Sequence, residues 1–74
     1  MPEIVTCTAN GEKTYDVAFD GDEIAYVEVV QERVVAGNPQ RFKRRMWTRG
    51  RGTFGSPRIE AAKRAARAVK ESHA

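Results

Sequence analysis

The chain has 74 residues, of which 41% are hydrophobic, and its formal net charge is +3. A chain of this length forms one small domain, which buries only about 60% of the surface that its unfolded state exposes. One cysteine excludes an internal disulfide, and one cysteine with one histidine cannot supply the roughly four protein ligands of a structural zinc site.

The first two predicted strands, at about residues 3–9 and 12–19, form a hairpin around Asn10-Gly11. Both central positions of a type I′ turn need positive φ, which Asn and Gly adopt readily. The second strand alternates apolar and polar residues, as a half-buried strand does. A two-residue loop pairs Ala9 with Glu12, and this register fixes which side chains share the buried face. The predicted buried set is Ile4, Thr6, Tyr15, Val17 and Phe19.

A third strand is predicted at about residues 24–35 and a fourth at about 40–49, separated by the chain-breaking residues 36–39. Strict alternation in the fourth strand places Phe42, Arg44 and Met46 on one face, and Lys43, Arg45 and Trp47 on the other. Neither face is wholly apolar, which is typical of an edge strand. This alternation also places one of the two aromatic side chains in the core and leaves the other exposed.

One helix is predicted at about residues 57–72. Ser56 is a favourable N-cap, and Pro57 stands at the first helical position, where a missing N–H costs nothing. Apolar residues recur at helical spacing from Ile59 to Val69. The order of elements predicts one α+β domain over residues 1–74. Its antiparallel meander of three or four strands has the C-terminal helix packed on one face, and the other face stays open.

The charges divide near the middle of the chain. Residues 1–32 hold eight acids and one base, a net charge of −7, whereas residues 33–74 hold twelve bases and two acids, a net charge of +10. The densest basic segment is residues 41–52, and it includes two aromatic residues. Basic side chains interleaved with aromatic ones are typical of polyanion-binding surfaces. We therefore expect a nucleic acid as the partner.

Three features define the expected contacts. Cations of the basic segment neutralise phosphates, and aromatic side chains offer stacking surfaces for bases. The loop Arg49-Gly50-Arg51-Gly52 lets backbone and guanidinium groups approach a phosphate together. The start of the helix carries free N–H groups that attract anions. The candidate nucleic-acid-binding residues are Arg41, Lys43, Arg44, Arg45, Trp47, Arg49, Arg51 and Arg58. Whether the nucleic acid is DNA or RNA, single- or double-stranded, stays open.

The alternative is a protein–protein interaction module, such as a small inhibitor, an adaptor or a phage-type accessory protein. In that case the basic residues pair with acids such as Glu28 and Glu32 and form a self-neutralised face. Dimerisation would also bury area that a small domain lacks, so a homodimer belongs to this alternative. The direction of the arginines separates the two hypotheses. A coherent exposed stripe favours nucleic acid, whereas pairing with acids favours the scaffold.

The segment from Gly50-Arg51-Gly52 through residues 58–66 resembles the closing part of a double-stranded-RNA-binding domain, in which a basic, Ala-rich helix follows a glycine-containing strand end. The opening helix of that family has no counterpart here. The strand-to-helix join is similar to that of arm-binding domains of phage integrases. The order of elements is similar to that of the PUR repeat of single-stranded-nucleic-acid binders. These resemblances imply a nucleic-acid partner, and no residue role is transferred from them.

Catalysis, cofactors and metals are not expected. The turn Asp20-Gly21-Asp22-Glu23 lacks the ligand spacing of a calcium loop. His73 lies at the chain end and Cys7 in a strand, so they suggest no nucleophile–base pair and no small-molecule substrate. The apolar runs are far shorter than the roughly 20 residues of a membrane span, and the N-terminus has no secretory signal. We therefore expect no membrane partner and a cytoplasmic protein.

Overall fold

Four strands and one helix make up the part of the chain that the computed structural model describes, residues 2–51 and 55–73. The strands are β1 (Glu3–Ala9), β2 (Lys13–Asp20), β3 (Glu23–Val35) and β4 (Asn38–Thr48), and the helix is α1 (Pro57–Ser72). The strands form one antiparallel sheet in the order β1-β2-β3-β4, and α1 packs mainly against β1. The α+β prediction is confirmed, with a meander of four strands.

The core lies between α1 and one face of the sheet, which we call the helix-side face. Small residues let the helix approach closely, because Ala62 and Ala66 are both 0% exposed. The Cys7 thiol donates to the Ala62 carbonyl oxygen at 3.5 Å. Burial, with a smaller contribution from the charge of Asp16, raises the pKa of this thiol. The buried cluster consists of Val5, Cys7, Tyr15, Val17, Phe19, Ile24, Val27, Val29, Ile59, Ala62 and Ala66. The opposite surface of the sheet is the open face.

The register of β1 against β2 differs by one residue from the prediction. Ala9 lies opposite Lys13, so the loop holds three residues, 10–12, instead of two. A shift of one residue turns every side chain of a strand to the other face. Val5 is therefore in the core, and Ile4 is 48% exposed on the open face. The predicted buried residues are correct for β2 and wrong for β1.

The physical reason for this register lies on both faces of β1. It places the apolar side chains of Val5 and Cys7 under the helix, and it turns the polar Thr6 outward to bond with Asp16. Asn10 and Gly11 do have positive φ, at 54° and 87°. The turn residues were thus recognised correctly, but they do not determine the number of residues in the loop.

A β-bulge in β4 changes the predicted distribution of its side chains. Trp47 pairs with Val27 and Arg45 with the next residue of β3, so Met46 is an extra residue. Trp47 therefore lies on the helix-side face and packs against the core, and the strict alternation is wrong. Phe42 lies on the same face but is 41% exposed. One aromatic side chain is packed and the other exposed, as predicted, although the two lie on the same face of the sheet and not on opposite faces.

Strands β3 and β4 continue past the rest of the sheet as a two-stranded arm. The pairing of β2 with β3 ends at Thr14 and Val30, whereas β3 and β4 form five further pairs, from Gln31–Phe42 to Val35–Asn38. Residues 36 and 37 join the strands, and both have positive φ (52° and 81°), as a type I′ turn requires. Every residue of the arm, 31–42, is exposed. The arm therefore offers both of its faces to a partner.

Candidate nucleic-acid interface

On the open face, cations of β4 lie beside acids of β2 and β3. Lys43 Nζ is 2.8 Å from Asp16 Oδ2, and Arg45 Nη2 is 3.8 Å from Glu28 Oε2. The guanidinium carbon of Arg45 also lies 3.9 Å from the centroid of the Tyr26 ring. These contacts hold both cations against the sheet, so neither projects freely towards a phosphate.

Arg41 completes this arrangement, because it lies directly across from Glu32 in the pairing of β3 with β4. Lys43 and Arg45 thus form ion pairs with acids of the same face, and Arg41 has an acid as its neighbour across the sheet. Opposite charges in adjacent strands cancel much of each other's potential at a distance. The open face therefore has the self-neutralised character of the alternative hypothesis.

Asp16 is the most buried charged residue of this arrangement, at 3% exposure. Its carboxylate accepts hydrogen bonds from the Thr6 hydroxyl at 2.7 Å and from Lys43 at 2.8 Å. Burial by itself raises the pKa of Asp16. The hydrogen bonds from Lys43 and Thr6, with the charges of Lys43 and Arg41, outweigh burial and hold this pKa below its usual value. The partners of Asp16 come from two other strands, β1 and β4, so its position in the sequence does not indicate these contacts.

We expect Asp16 to make the stability of the protein depend on acid pH. A carboxyl whose pKa is lowered by folding stabilises the fold above its unfolded pKa, about 3.9, and loses that contribution as the pH falls towards the folded value. The free energy of unfolding should therefore decrease below about pH 5. At neutral pH, Asp16→Asn should lower the free energy of unfolding by about 1.5–3 kcal/mol, because it loses charge-assisted hydrogen bonds.

Urea unfolding from neutral to acid pH measures this effect. Asp16→Asn should flatten the acid part of the profile, whereas the exposed control Glu71→Gln should leave it unchanged. The same acid profile for Asp16→Asn and the wild type would contradict the role assigned to this carboxylate.

The loop after β4 is attached to the turn between β2 and β3. Arg49 Nη1 lies 2.6 Å from Glu23 Oε2, and Arg49 Nη2 lies 3.3 Å from Asp20 Oδ2. The Arg49 backbone N–H also donates to the Ala25 carbonyl oxygen at 2.9 Å. Arg49 therefore holds the chain as it leaves the sheet. Arg51 is exposed, and Gly52 lies outside the described residues.

A second group of cations lies on the helix-side face, between the arm and the start of α1. Arg44 pairs with Val29, and a small cavity of about 90 Å³ beside it is lined by Lys13, Arg44 and Arg58. An adjoining cavity of about 250 Å³ is lined by Arg33, Phe42 and Arg44. We call this surface, made by Lys13, Arg33, Phe42, Arg44 and Arg58, the helix-side groove. Within residues 2–51 and 55–73, none of its four cations forms an ion pair with an acid.

The loop between β1 and β2 positions the helix end of this groove. The Asn10 side-chain amide donates to the Tyr15 hydroxyl and to the Arg58 carbonyl oxygen, both at 3.0 Å. The Ser56 hydroxyl accepts the Ile59 N–H at 3.3 Å and caps the helix. Arg58 is thereby held beside the start of β2, with its side chain exposed.

The arm contributes an aromatic surface to the groove. The guanidinium carbon of Arg33 lies 5.3 Å from the centroid of the Phe42 ring, and Arg33 donates to Gln31 Oε1 at 2.7 Å. A cation over an aromatic face keeps its charge uncompensated, unlike a cation in an ion pair. Phe42 and Arg33 together therefore present both positive charge and a stacking surface.

The predicted residues fall into several groups. Arg44 and Arg58 lie in the helix-side groove, and Arg51 is exposed. Lys43, Arg45 and Arg49 are in ion pairs, and Arg41 faces Glu32. Trp47 packs against the core, with Lys63 Nζ 3.6 Å from its ring centroid. Lys13 and Arg33 were missed, because both lie outside the basic segment. Their place in the groove follows from the pairing of β3 with β2 and β4. The composition of a single segment gives no information about that pairing.

Comparison with known proteins finds no matching family model, no similar curated protein and no similar solved structure. In the described part of the chain, no three His, Cys, Asp or Glu side chains are grouped to hold a metal ion. No helix there is both long enough and apolar enough to cross a membrane. A functional argument for this small α+β protein therefore depends on its surface.

Proposed function

We propose that this protein binds nucleic acid without catalysing a reaction, and that the helix-side groove makes the main phosphate contacts. One observation carries the proposal: the cations divide between the two faces of the sheet. On the open face Lys43 and Arg45 form ion pairs with acids and Arg41 lies opposite Glu32, whereas the four groove cations form no ion pair within the described residues. An uncompensated group of cations keeps the positive potential that attracts a phosphate backbone.

The surroundings of the groove support the same proposal. At its rim a wider cavity is lined by Lys13, Arg33 and Arg41 together with two acids, Glu12 and Glu32, so cations remain in excess there. The exposed ring of Phe42 adds a surface on which a base can stack, a contact worth about 1–3 kcal/mol. Arg58 carries its charge at the start of α1, where the helix dipole is positive.

Fluorescence anisotropy with labelled single- and double-stranded oligonucleotides tests the proposal. If three or four of the groove cations each neutralise one phosphate, log K should fall with log salt concentration at a slope of about −3 to −4. The slope arises because every neutralised phosphate releases a counterion. Affinity that does not change with salt, or no binding at about 50 mM salt, would contradict nucleic-acid binding.

The second candidate is a protein–protein interaction module, and the ion pairs of the open face favour it. Val34 and Val35 are also exposed at the tip of the arm, at 73% and 42%. The outer edge of β4 has no strand beside it among the described residues. A sedimentation mass near twice 8.3 kDa, with no salt-dependent binding of oligonucleotides, would favour this candidate.

A further inference from the structure

We infer that the nucleic acid is duplex DNA, and that the arm enters its major groove with the helix-side face towards the bases. This inference rests on the proposed function, because it names the class of nucleic acid that the same surface takes. The B-DNA major groove is about 12 Å wide and admits a two-stranded β-ribbon. The major groove of A-form RNA is too deep and narrow for side chains to read, and a single strand has no such groove.

The dimensions of the arm match this site. Its five residue pairs extend about 17 Å at roughly 3.4 Å per residue, and its two strands are about 4.8 Å apart. All its residues are exposed, so both faces of the arm are accessible to a partner. A ribbon of this size can reach the floor of a groove about 8.5 Å deep.

The helix-side face of the arm carries side chains suited to base edges. The pairing places Gln31, Arg33, Val35, Asn38, Gln40 and Phe42 on this face. In the major groove, amide side chains pair with adenine, guanidinium groups pair with guanine, and apolar groups contact the thymine methyl. None of the side chains on this face is negative, because the acid of the arm, Glu32, lies on the opposite face. The helix-side face of the arm therefore does not repel DNA.

The other groove cations occupy positions suited to the DNA backbone. Arg44 follows the arm in β4, and Lys13 and Arg58 lie across the cavity from it. With the arm inside the major groove, these three cations face the phosphates at the groove's edge. Phosphate contacts set the position of a protein on DNA, and base contacts set its sequence preference. The division of residues between arm and body thus matches these two tasks.

The first test compares one sequence of about 20 base pairs, roughly two helical turns, as DNA duplex, RNA duplex and DNA single strand. The DNA duplex should bind at least about tenfold more tightly than the other two. Equal or tighter binding of the RNA duplex or the single strand would overturn the inference and leave the proposed function intact. No binding to any of the three would overturn both.

The second test examines the groove itself, with the same DNA duplex carrying glucosylated hydroxymethylcytosine. The glucose fills the major groove and leaves the phosphates unchanged. Affinity should fall about tenfold or more if the arm lies in that groove. Unchanged affinity would place the protein elsewhere on the duplex and overturn the inference.

The third test uses two identical substitutions on opposite faces of the arm tip. Val35 is on the helix-side face and Val34 on the open face, and both are exposed, so neither Val35→Glu nor Val34→Glu removes core packing. Val35→Glu should weaken binding of the DNA duplex about tenfold, and Val34→Glu less than about threefold. Circular dichroism confirms that both variants are folded. Equal losses would overturn the orientation of the arm.

Discussion

Reversal of Arg33 and Arg44 to glutamate is expected to abolish most nucleic-acid binding. The double variant Arg33→Glu/Arg44→Glu removes two cations of the helix-side groove that have no acid partner within the described residues. Affinity at low salt should fall about 100-fold, equivalent to about 2.7 kcal/mol. The slope of log K against log salt should become smaller by about 1, because Arg44 loses its phosphate contact whereas Arg33 faces the base edges. Anisotropy titrations at several salt concentrations measure both effects.

Lys43→Glu/Arg45→Glu is the matched control, because it changes the net charge by the same amount on the opposite face of the sheet. These cations lie on the open face against Asp16 and Glu28, so we expect affinity to change by less than about threefold. Their removal does leave acids unpaired, so urea unfolding must establish that the control is folded under the binding conditions. Equal losses in the two double variants would show that total charge, and not the helix-side groove, controls binding.

Phe19→Ala is expected to have the largest effect on stability. Phe19 is 1% exposed, and Lys70 Nζ and Arg67 Cζ lie 4.5 Å and 5.8 Å from its ring centroid. Truncating a buried Phe costs about 3–5 kcal/mol. A chain of this length has a total stability of roughly 4–11 kcal/mol. The variant should lose at least about 12 °C in Tm, measured by circular dichroism.

Ile4→Ala is the control for the strand register. Ile4 belongs to the buried face if β1 and β2 are joined by two residues, but it lies on the open face in the observed register. Its truncation should therefore cost less than about 1 kcal/mol. A loss as large as that of Phe19→Ala would contradict the three-residue loop and the pairing of Cys7 with Tyr15.

Local chemistry accounts for the parts of the fold that could be predicted. The strands end at Gly-containing turns, because Gly11, Gly21 and Gly37 adopt positive φ without the steric cost of a Cβ atom. The helix begins after Ser56 at Pro57, which suit the cap and the first helical position. These features depend only on neighbours in the chain, so the order of the elements is readable without tertiary structure.

The candidate site was only partly predictable, because the effect of a charge depends on its neighbours across the sheet. The basic segment was recognised from composition, yet consecutive residues of it lie in different surroundings. Arg44 lies in the helix-side groove, whereas Lys43 and Arg45, directly before and after it, are paired with acids. Lys13 and Arg33 join Arg44 only because β2, β3 and β4 lie side by side. No spacing along the chain indicates this grouping.

By itself, the sequence determined the α+β class, a meander of three or four strands, the helix and the concentration of cations in the second half of the chain. Each of these follows from residue type and short-range periodicity. Only the tertiary structure decided the register of β1, the bulge at Met46 and the division of cations between two faces. The reason is physical: side chains on a strand alternate, so one inserted or shifted residue reverses a face. Which register is the most stable depends on the packing of the whole core against α1.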